Sequence, residues 1–248
     1  MIVPSKAELF AYYHNNDTRE AFHTLPQRRR LAVIRDAVQR CSPANPVVLD
    51  VGCGDGYSAG YALEGLTGVR FVGVEYSFAK LTECRRCISG HVHGLIGDGE
   101  ILPLRTSSVD LALCFETMEH LPNPAKALVE LRRVLKPEGR TVLTIPLSGR
   151  LHEPLVKLYH WLQRRPPKFA EHLHFFTRSL ALRLIREAGF TVLEAQCHGF
   201  EFFGLHPKTH ERYARWDTRM RWFQMGLTGK PERWQVGHTF LLIVARPV

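Results

Sequence analysis

The chain has 248 residues, with 33 Lys and Arg against 24 Asp and Glu, which gives a formal charge of +9 when histidine is counted as neutral. Its 45% hydrophobic and 23% charged residues are typical of a globular protein and exclude intrinsic disorder and collagen-like or disulfide-dense architectures. The longest apolar run, Phe240 to Ala245, is far shorter than the roughly 20 residues of a membrane-spanning helix. Met1 to Phe10 lacks the apolar stretch of a signal peptide. We therefore expect a cytoplasmic protein.

Charge is distributed unevenly between the two halves. Residues 1–124 carry 12 Lys and Arg against 14 Asp and Glu, whereas residues 125–248 carry 21 against 10, so the net charges are −2 and +11. This asymmetry indicates that an anionic partner meets the second half, although solvated helix faces alone would also produce it.

Strands and helices alternate along the first part of the chain, after an N-terminal segment with a predicted helix at about 26–40. The predicted strands are 47–51, 69–74, 92–96, 109–115 and 140–145, and the predicted helices are 57–66, 78–87 and 124–135. Lys136 to Gly139 are expected to form the turn before the fifth strand, and Pro146 to end that strand. Apolar strands that alternate with helices predict a parallel sheet covered on both faces.

The alternation is interrupted after Pro146. Residues 151–164 have helical spacing, Thr177 is expected to cap a helix over 178–188, and strands are predicted at 190–195 and 238–245. The aromatic-rich segment between these last strands is too long for an idle connection in a compact domain. We expect it to serve the function.

A glycine-rich turn follows the first predicted strand at Gly52, Gly54 and Gly56. Such a turn brings backbone close to a ligand at the carboxyl edge of an open α/β sheet. A dinucleotide fingerprint would need a glycine where this chain has Tyr57, and no phosphate-binding P-loop motif occurs.

Five motifs in order resemble class I S-adenosylmethionine-dependent methyltransferases, in particular the small-molecule and lipid group that includes the ubiquinone- and menaquinone-biosynthesis enzymes. The resemblance covers about residues 45–195. The motifs are Asp50-Val-Gly-Cys-Gly-Asp-Gly56, Gly73-Val-Glu-Tyr-Ser77, Gly97-Asp-Gly-Glu-Ile-Leu-Pro-Leu104, Phe115-Glu-Thr-Met-Glu-His-Leu-Pro-Asn-Pro124 and Arg133-Val-Leu-Lys-Pro-Glu-Gly139.

The resemblance implies an α/β, Rossmann-like fold with a mostly parallel seven-stranded sheet, helices on both faces and an antiparallel last strand. Since a single α/β domain routinely reaches this length, we expect one methyltransferase domain over 1–248. Its parts are an N-terminal helical cap (1–44), a cofactor-binding core (45–146) and a substrate-side half (147–248) with lid insertions at 147–173 and 199–236.

The resemblance also assigns roles around the cofactor, S-adenosylmethionine. Glu75 is expected to hold the ribose hydroxyls, since an ionised carboxylate binds a diol with both oxygens. Asp98 is expected to accept a hydrogen bond from the adenine amino group. The remaining expected cofactor contacts are the backbone of Gly99, the three glycines Gly52, Gly54 and Gly56 around the methionine moiety, Asp50 near its ammonium group, and Phe115 and Glu116 along the cofactor.

Two histidines are candidates for a general base, His120 and His174. Methyl transfer from a sulfonium depends mainly on positioning, and a base is needed only when the acceptor arrives protonated. Histidine suits that task near neutral pH, although His120 can equally be a packed structural residue. His172 is a weaker candidate. The paired histidines lack further ligands at a recognisable spacing, so no metal site is expected.

The acceptor is predicted to be a small hydrophobic or lipid-like molecule that can carry a negative charge. Residues 151–168 and 211–223 mix apolar, aromatic and basic side chains, which is typical of helices that contact anionic membranes, but also of a lid packed over a pocket. Two other functions remain open: methylation of RNA or another nucleic acid, and a non-catalytic module that binds S-adenosylmethionine. Against the first, Cys114-Phe-Glu-Thr117 is not a base-methylating motif.

Overall fold

The computed structural model describes residues 25–88, 91–147, 173–201 and 238–248. Several predictions lie outside the described residues: the first 24 residues of the cap, the helix at 151–164, most of the lids at 147–173 and 199–236, His172, and the segments 151–168 and 211–223. None of the helices within the described ranges is long and apolar enough to cross a bilayer.

Helices and strands alternate as the sequence predicts. The helices are α1 (Leu25–Cys41), α2 (Tyr57–Leu63), α3 (Phe78–Cys87), α4 (Pro124–Val134) and α5 (Arg178–Glu187). The strands are β1 (Val47–Val51), β2 (Arg70–Glu75), β3 (His91–Ile96), β4 (Val109–Phe115), β5 (Leu135–Leu147), β6 (Phe190–Glu201) and β7 (His238–Pro247). The hydroxyls of Ser77 and Thr177 cap α3 and α5 by accepting hydrogen bonds from backbone N–H groups.

The strands form one seven-stranded sheet in the order β3-β2-β1-β4-β5-β7-β6. β1 to β5 pair in parallel, and β7 runs antiparallel to both β5 and β6. The expected Rossmann-like fold with an antiparallel last strand is therefore confirmed. The chain leaves β1 toward β2 on one side and returns to β4 on the other, which opens a crevice at the carboxyl ends of these strands.

Two apolar cores cover the two faces of the sheet. On one face α4 and α5 pack through Leu131 and Ile185, and on the other α1 and α3 pack through Ile34 and Leu81. Residues that alternate along the central strands supply the two cores in turn, because successive side chains of a strand point to opposite faces.

The predicted turn at Lys136 to Gly139 is wrong, since these residues belong to β5. Val109 pairs with Leu135 and Leu111 pairs with Arg140, so the ladder absorbs the intervening residues as an irregularity. Lys136 Nζ forms an ion pair with Asp110 of β4 at 2.7 Å, which ties this segment to the sheet. The strand also continues one residue past Pro146, where it pairs with β7.

Candidate active site

A cavity of about 300 Å³ lies at the crevice between β1 and β4. It is bounded by the glycine turn after β1, the end of β2, the loop after β3 and the end of β4. The lining residues that the sequence had singled out are Asp50, Gly52, Gly54, Glu75, Gly99, Phe115, Glu116 and His120. Eight of the eleven predicted site residues are thus brought to one cavity, whereas Gly56, Asp98 and His174 are not among the residues that line it.

The glycine turn is fastened to the neighbouring strand. The backbone N–H groups of Gly52 and Cys53 both donate to the carbonyl of Val74 in β2, at 2.8 and 3.3 Å. Gly52 has φ of +71°, and a Cβ there would lie 2.5 Å from the Thr117 side chain. At Gly54 (φ +54°) a Cβ would meet nothing within 4 Å, so this glycine borders open space in the cavity. The turn therefore offers bare backbone to a ligand.

Glu75, the last residue of β2, is fixed by backbone donors. Its Oε2 accepts from Gly54 N–H at 3.0 Å, and its Oε1 accepts from the N–H groups of Tyr76 and Ser77 at 2.9 and 3.1 Å. The hydrogen bond to Gly54 joins the carboxylate to the glycine turn. A hydroxyl donor in the cavity would find this acceptor already oriented.

Asp50 is buried at the floor of the same cavity, with only 3% of its surface exposed. Its Oδ1 has no hydrogen-bond partner within the described part of the chain. Burial raises the pKa of this carboxyl well above its ordinary value, and the neighbouring Cys84 and Glu75 add to the rise. A buried carboxyl oxygen without a donor costs free energy unless a ligand supplies one.

The loop after β3 presents backbone to the cavity. Gly97 and Gly99 line it, and a Cβ on Gly99 would lie 2.8 Å from Val51 Cγ1. Asp98 stands between these two glycines, and its Oδ1 accepts from the N–H of Glu100 at 2.9 Å. Asp98 itself does not line the cavity, although both of its neighbours do. One of its carboxyl oxygens already accepts a hydrogen bond within the loop.

Glu116 follows β4 in a left-handed backbone conformation, with φ of +49°. Its N–H donates to the carbonyl of Thr144 at 3.0 Å, which secures this uncommon conformation. Its Oε1 forms an ion pair at 2.9 Å with Arg30, which α1 contributes. No local pattern links Arg30 to this site, because Arg30 and Glu116 are far apart in the chain.

His120 lies at the cavity beside a carboxyl that the sequence analysis did not select. Its Nε2 is 3.6 Å from Oε1 of Glu119. Glu119 is completely buried, and neither of its carboxyl oxygens has a hydrogen-bond partner among the described residues. Burial, and then the nearby charge of Glu116, raise the pKa of Glu119 well above its ordinary value. The sequence does not indicate that Glu119 is buried, because its burial depends on how distant parts of the chain pack around it.

His174 stabilises the turn next to the cavity through hydrogen bonds to its carbonyl groups. Its Nε2 lies 2.9 Å from the carbonyl of Leu121 and 3.3 Å from that of Pro122, and its backbone N–H donates to the carbonyl of Glu119 at 3.1 Å. These bonds hold the segment that carries His120. The structure does not bring His174 to the cavity, in contrast to the expectation from sequence.

Comparison with known proteins identifies a family. A family model described as a methyltransferase domain matches residues 26–195. An uncharacterized methyltransferase of Mycobacterium avium is 30% identical over 187 residues, which are 71% of this chain and 71% of that relative. A malonyl-acyl-carrier-protein O-methyltransferase of Alcanivorax borkumensis is 35% identical over 128 residues, 50% of this chain and 44% of the relative. The matches to two further relatives span 29% and 58% of their lengths.

Among solved structures, a geranyl diphosphate C-methyltransferase from Streptomyces coelicolor A3(2) has a similar fold. The TM-score is 0.64 at 17% sequence identity, and the match covers 98% of this chain and 97% of that one. That crystal contains Mg²⁺, geranyl diphosphate and S-adenosyl-L-homocysteine.

The buried carboxyl of Asp50 predicts a pH-dependent stability. Because its pKa is raised in the folded state, the contribution of Asp50 to the stability of the ligand-free protein is lost as pH rises from the ordinary carboxyl value of about 4 through the raised pKa. We expect Asp50→Asn to increase the free energy of unfolding by about 1–3 kcal/mol at about pH 8. The difference should shrink toward zero near pH 4, as measured by urea denaturation across pH.

Glu130→Gln is the control, because the pKa of Glu130 is shifted in the direction opposite to that of Asp50. A hydrogen bond from Arg133 lowers the pKa of Glu130, so its contribution to stability is present at neutral pH and is lost as pH falls. This variant should be less stable than the parent at neutral pH. A destabilised Asp50→Asn protein with no pH trend would show that Asp50 is ionised and satisfied without ligand.

Proposed function

The chain belongs to the methyltransferase domain family, a class I fold whose cofactor is S-adenosylmethionine, and from this premise we propose that the cavity between β1 and β4 holds the cofactor. The observation that carries the assignment is that the carboxyls of Asp50 and Glu75 line the same cavity as the exposed backbone of the glycine turn. Glu75 Oε2 is held by Gly54 N–H, and the buried Asp50 Oδ1 lacks a donor among the described residues. A molecule with a diol at one end and an ammonium group at the other fits both needs.

Each part of the cofactor has a matching group in this chain. Glu75 accepts from the ribose hydroxyls, and Asp50 accepts from the ammonium group of the methionine moiety, whose positive charge favours the ionised carboxyl. Gly52 and Gly54 admit the methionine moiety to the backbone. Asp98 and Gly99 serve the adenine end, and Phe115 and Glu116 lie along the cofactor on the acceptor side. The bound cofactor supplies an electrophilic methyl group on a sulfonium, and the chain positions an acceptor against it.

Glu75→Ala tests the cofactor site. Loss of a charged acceptor should weaken S-adenosylmethionine binding about 10- to 100-fold, since a hydrogen bond to a charged group contributes about 1.5–3 kcal/mol. Titration calorimetry of the parent and the variant measures the change. Glu64→Ala removes an exposed glutamate paired with Arg35 outside the cavity and should bind like the parent. Equal affinity of Glu75→Ala and the parent would contradict the assigned ribose site.

We propose a small, hydrophobic or acyl-type acceptor that carries a negative charge. The malonyl-acyl-carrier-protein O-methyltransferase relative is named for an acyl substrate whose free carboxyl is anionic. The net charge of +11 in residues 125–248 favours an anionic acceptor as well. Assignment to the ubiquinone and menaquinone group, and contact with membranes through 151–168 and 211–223, stay predictions.

An acceptor search distinguishes the remaining functions. The protein is incubated with a methyl-labelled donor and with separate extracts of small molecules and acyl compounds, membrane lipids, and RNA. We expect label in the small-molecule and acyl fraction or in the lipid fraction, and none in RNA. Label in RNA alone would favour the nucleic-acid function, and cofactor binding with no labelled fraction would favour a non-catalytic module. The Glu75→Ala protein is the matched control, since its weaker cofactor binding should lower the label in the same fraction when the donor is kept below the dissociation constant of the parent.

His120 is the proposed general base, since it lines the cavity and the other candidate, His174, is engaged with carbonyl groups beside it. With a hydroxyl or thiol acceptor found in the search, His120→Gln should lower the methylation rate about 10²- to 10⁴-fold and leave cofactor affinity unchanged. His91→Gln, an exposed histidine on β3, should behave like the parent. An unchanged methylation rate in His120→Gln would contradict the proposal that His120 is the general base.

A further inference from the structure

A second cavity lies between α2 and the end of α3, and we call it the α2–α3 cavity. Its volume is about 610 Å³, which is within the range of small-molecule sites. It shares no lining residue with the cavity between β1 and β4 in the part of the chain that the structure describes. Helix α2 contributes Ser58 to the cavity between β1 and β4 and Tyr57 to the α2–α3 cavity, so this helix separates the two.

Two tyrosines form one wall of the α2–α3 cavity. Tyr57 and Tyr61 line it, and they are one turn apart on the same side of α2. Arg35 of α1 fixes the position of Tyr61, because its guanidinium carbon lies 5.4 Å from the centroid of the tyrosine ring. The wall therefore offers flat, apolar rings that lose little conformational entropy when a ligand packs against them.

The floor of the α2–α3 cavity is apolar. Leu63, Val69 and Ile88 line it and are buried in the core on this face of the sheet. A Cβ on Gly60 would lie 2.6 Å from the carbonyl oxygen of Cys87, so α2 and α3 are in close contact at this glycine. The floor thus favours a ligand with an apolar body.

The charges at the α2–α3 cavity favour an anion. Glu64 lines it, but its Oε2 already accepts from Arg35 at 2.6 Å and its carbonyl accepts from Gln39 at 3.0 Å. Arg86 also lines it and pairs at 3.0 Å with Glu83, one turn earlier on α3, although 72% of the Arg86 side chain is exposed. An exposed pair of this kind contributes little to stability, so Arg86 can pair with a ligand instead at small cost.

We propose that the α2–α3 cavity binds a small aromatic molecule that carries one anionic group, such as a carboxylate or a sulfonate. The aromatic body packs against the two tyrosines and the apolar floor, and the anionic group pairs with Arg86. The proposal is independent of the cofactor assignment, because none of these residues lines the cavity between β1 and β4.

The experiment is a fluorescence titration of the full chain with 8-anilinonaphthalene-1-sulfonate, an aromatic anion whose emission rises in apolar surroundings. S-adenosylhomocysteine is present in excess to fill the cofactor cavity. N-phenyl-1-naphthylamine has the same aromatic body without the sulfonate and serves as the neutral probe. We expect one equivalent of the sulfonate probe to bind, and the neutral probe to compete with it.

Two arginine variants test the role of charge. Arg86→Gln should weaken binding of the sulfonate probe about three- to tenfold and leave the affinity for the neutral probe unchanged. Arg85→Gln removes the neighbouring exposed charge on α3, which does not line the α2–α3 cavity, and should bind both probes like the parent.

Three further variants locate the binding site. Leu66→Trp fills the α2–α3 cavity from the turn after α2 and should abolish binding of both probes, while its melting temperature shows whether it folds. Tyr61→Ala removes one ring of the wall without adding volume and should weaken both probes about tenfold. Phe78→Ala removes an exposed hydrophobic side chain of α3 outside the cavity and should bind like the parent.

Four results would overturn the proposal. The first is a parent that binds no probe, and the second is unchanged binding in Tyr61→Ala and in folded Leu66→Trp. The third is an equal effect of Arg85→Gln and Arg86→Gln on the sulfonate probe. The fourth is a parent that sediments as a dimer and a Leu66→Trp protein that sediments as a monomer, since a second copy of the chain would then cover the cavity.

Discussion

The carboxyl end of β2 holds the glycine turn in place, and the cavity depends on this attachment. The Val74 carbonyl accepts from Gly52 and Cys53, and the next carboxylate, Glu75, accepts from Gly54. A turn of glycines has little preference for one conformation, and ordering it costs more conformational entropy than ordering other residues. Successive hydrogen bonds from one strand end remove that freedom, so that a single conformation presents its backbone to the cavity.

Two carboxyls are buried at the site at a cost to stability. Asp50 lies under the glycine turn and Glu119 lies beside His120, and each has a carboxyl oxygen with no hydrogen-bond partner in the part of the chain that the structure describes. Burial raises the pKa of both, which means that each resists ionisation in the ligand-free protein. Such groups are destabilising on their own. A cationic ligand at Asp50 would reverse this effect, and part of its binding free energy would then be the relief of this penalty.

The sequence predicted those features that neighbouring residues determine. The bounds of β1 and β4 follow from their apolar runs, and the caps at Ser77 and Thr177 follow from a hydroxyl placed before a helical pattern. The glycine turn was recognisable because it directly follows a buried strand. The location of the cavity then followed from the topology of parallel sheets.

Features that depend on distant parts of the chain were not predicted. His174 contacts the carbonyls of Leu121 and Pro122, which lie more than fifty residues earlier in the chain, and the close approach of Gly56 to Cys84 depends on how α3 packs beneath the turn. The Lys136 to Gly139 segment has the composition of a turn, but pairing with β4 and the ion pair to Asp110 keep it in the sheet. In each case a tertiary contact overrides the local pattern.

The N-terminal helix α1 contributes more than a cover for the sheet. Ile34 and Val38 are buried in the core that α1 covers, and Arg30 supplies the positive charge that Glu116 faces at the cavity. A minimal fragment trimmed to begin at the first core strand would expose that apolar face and leave Glu116 without its counter-ion at the cavity. Helix α1 is therefore needed to keep both the apolar core and the charge balance at the cavity.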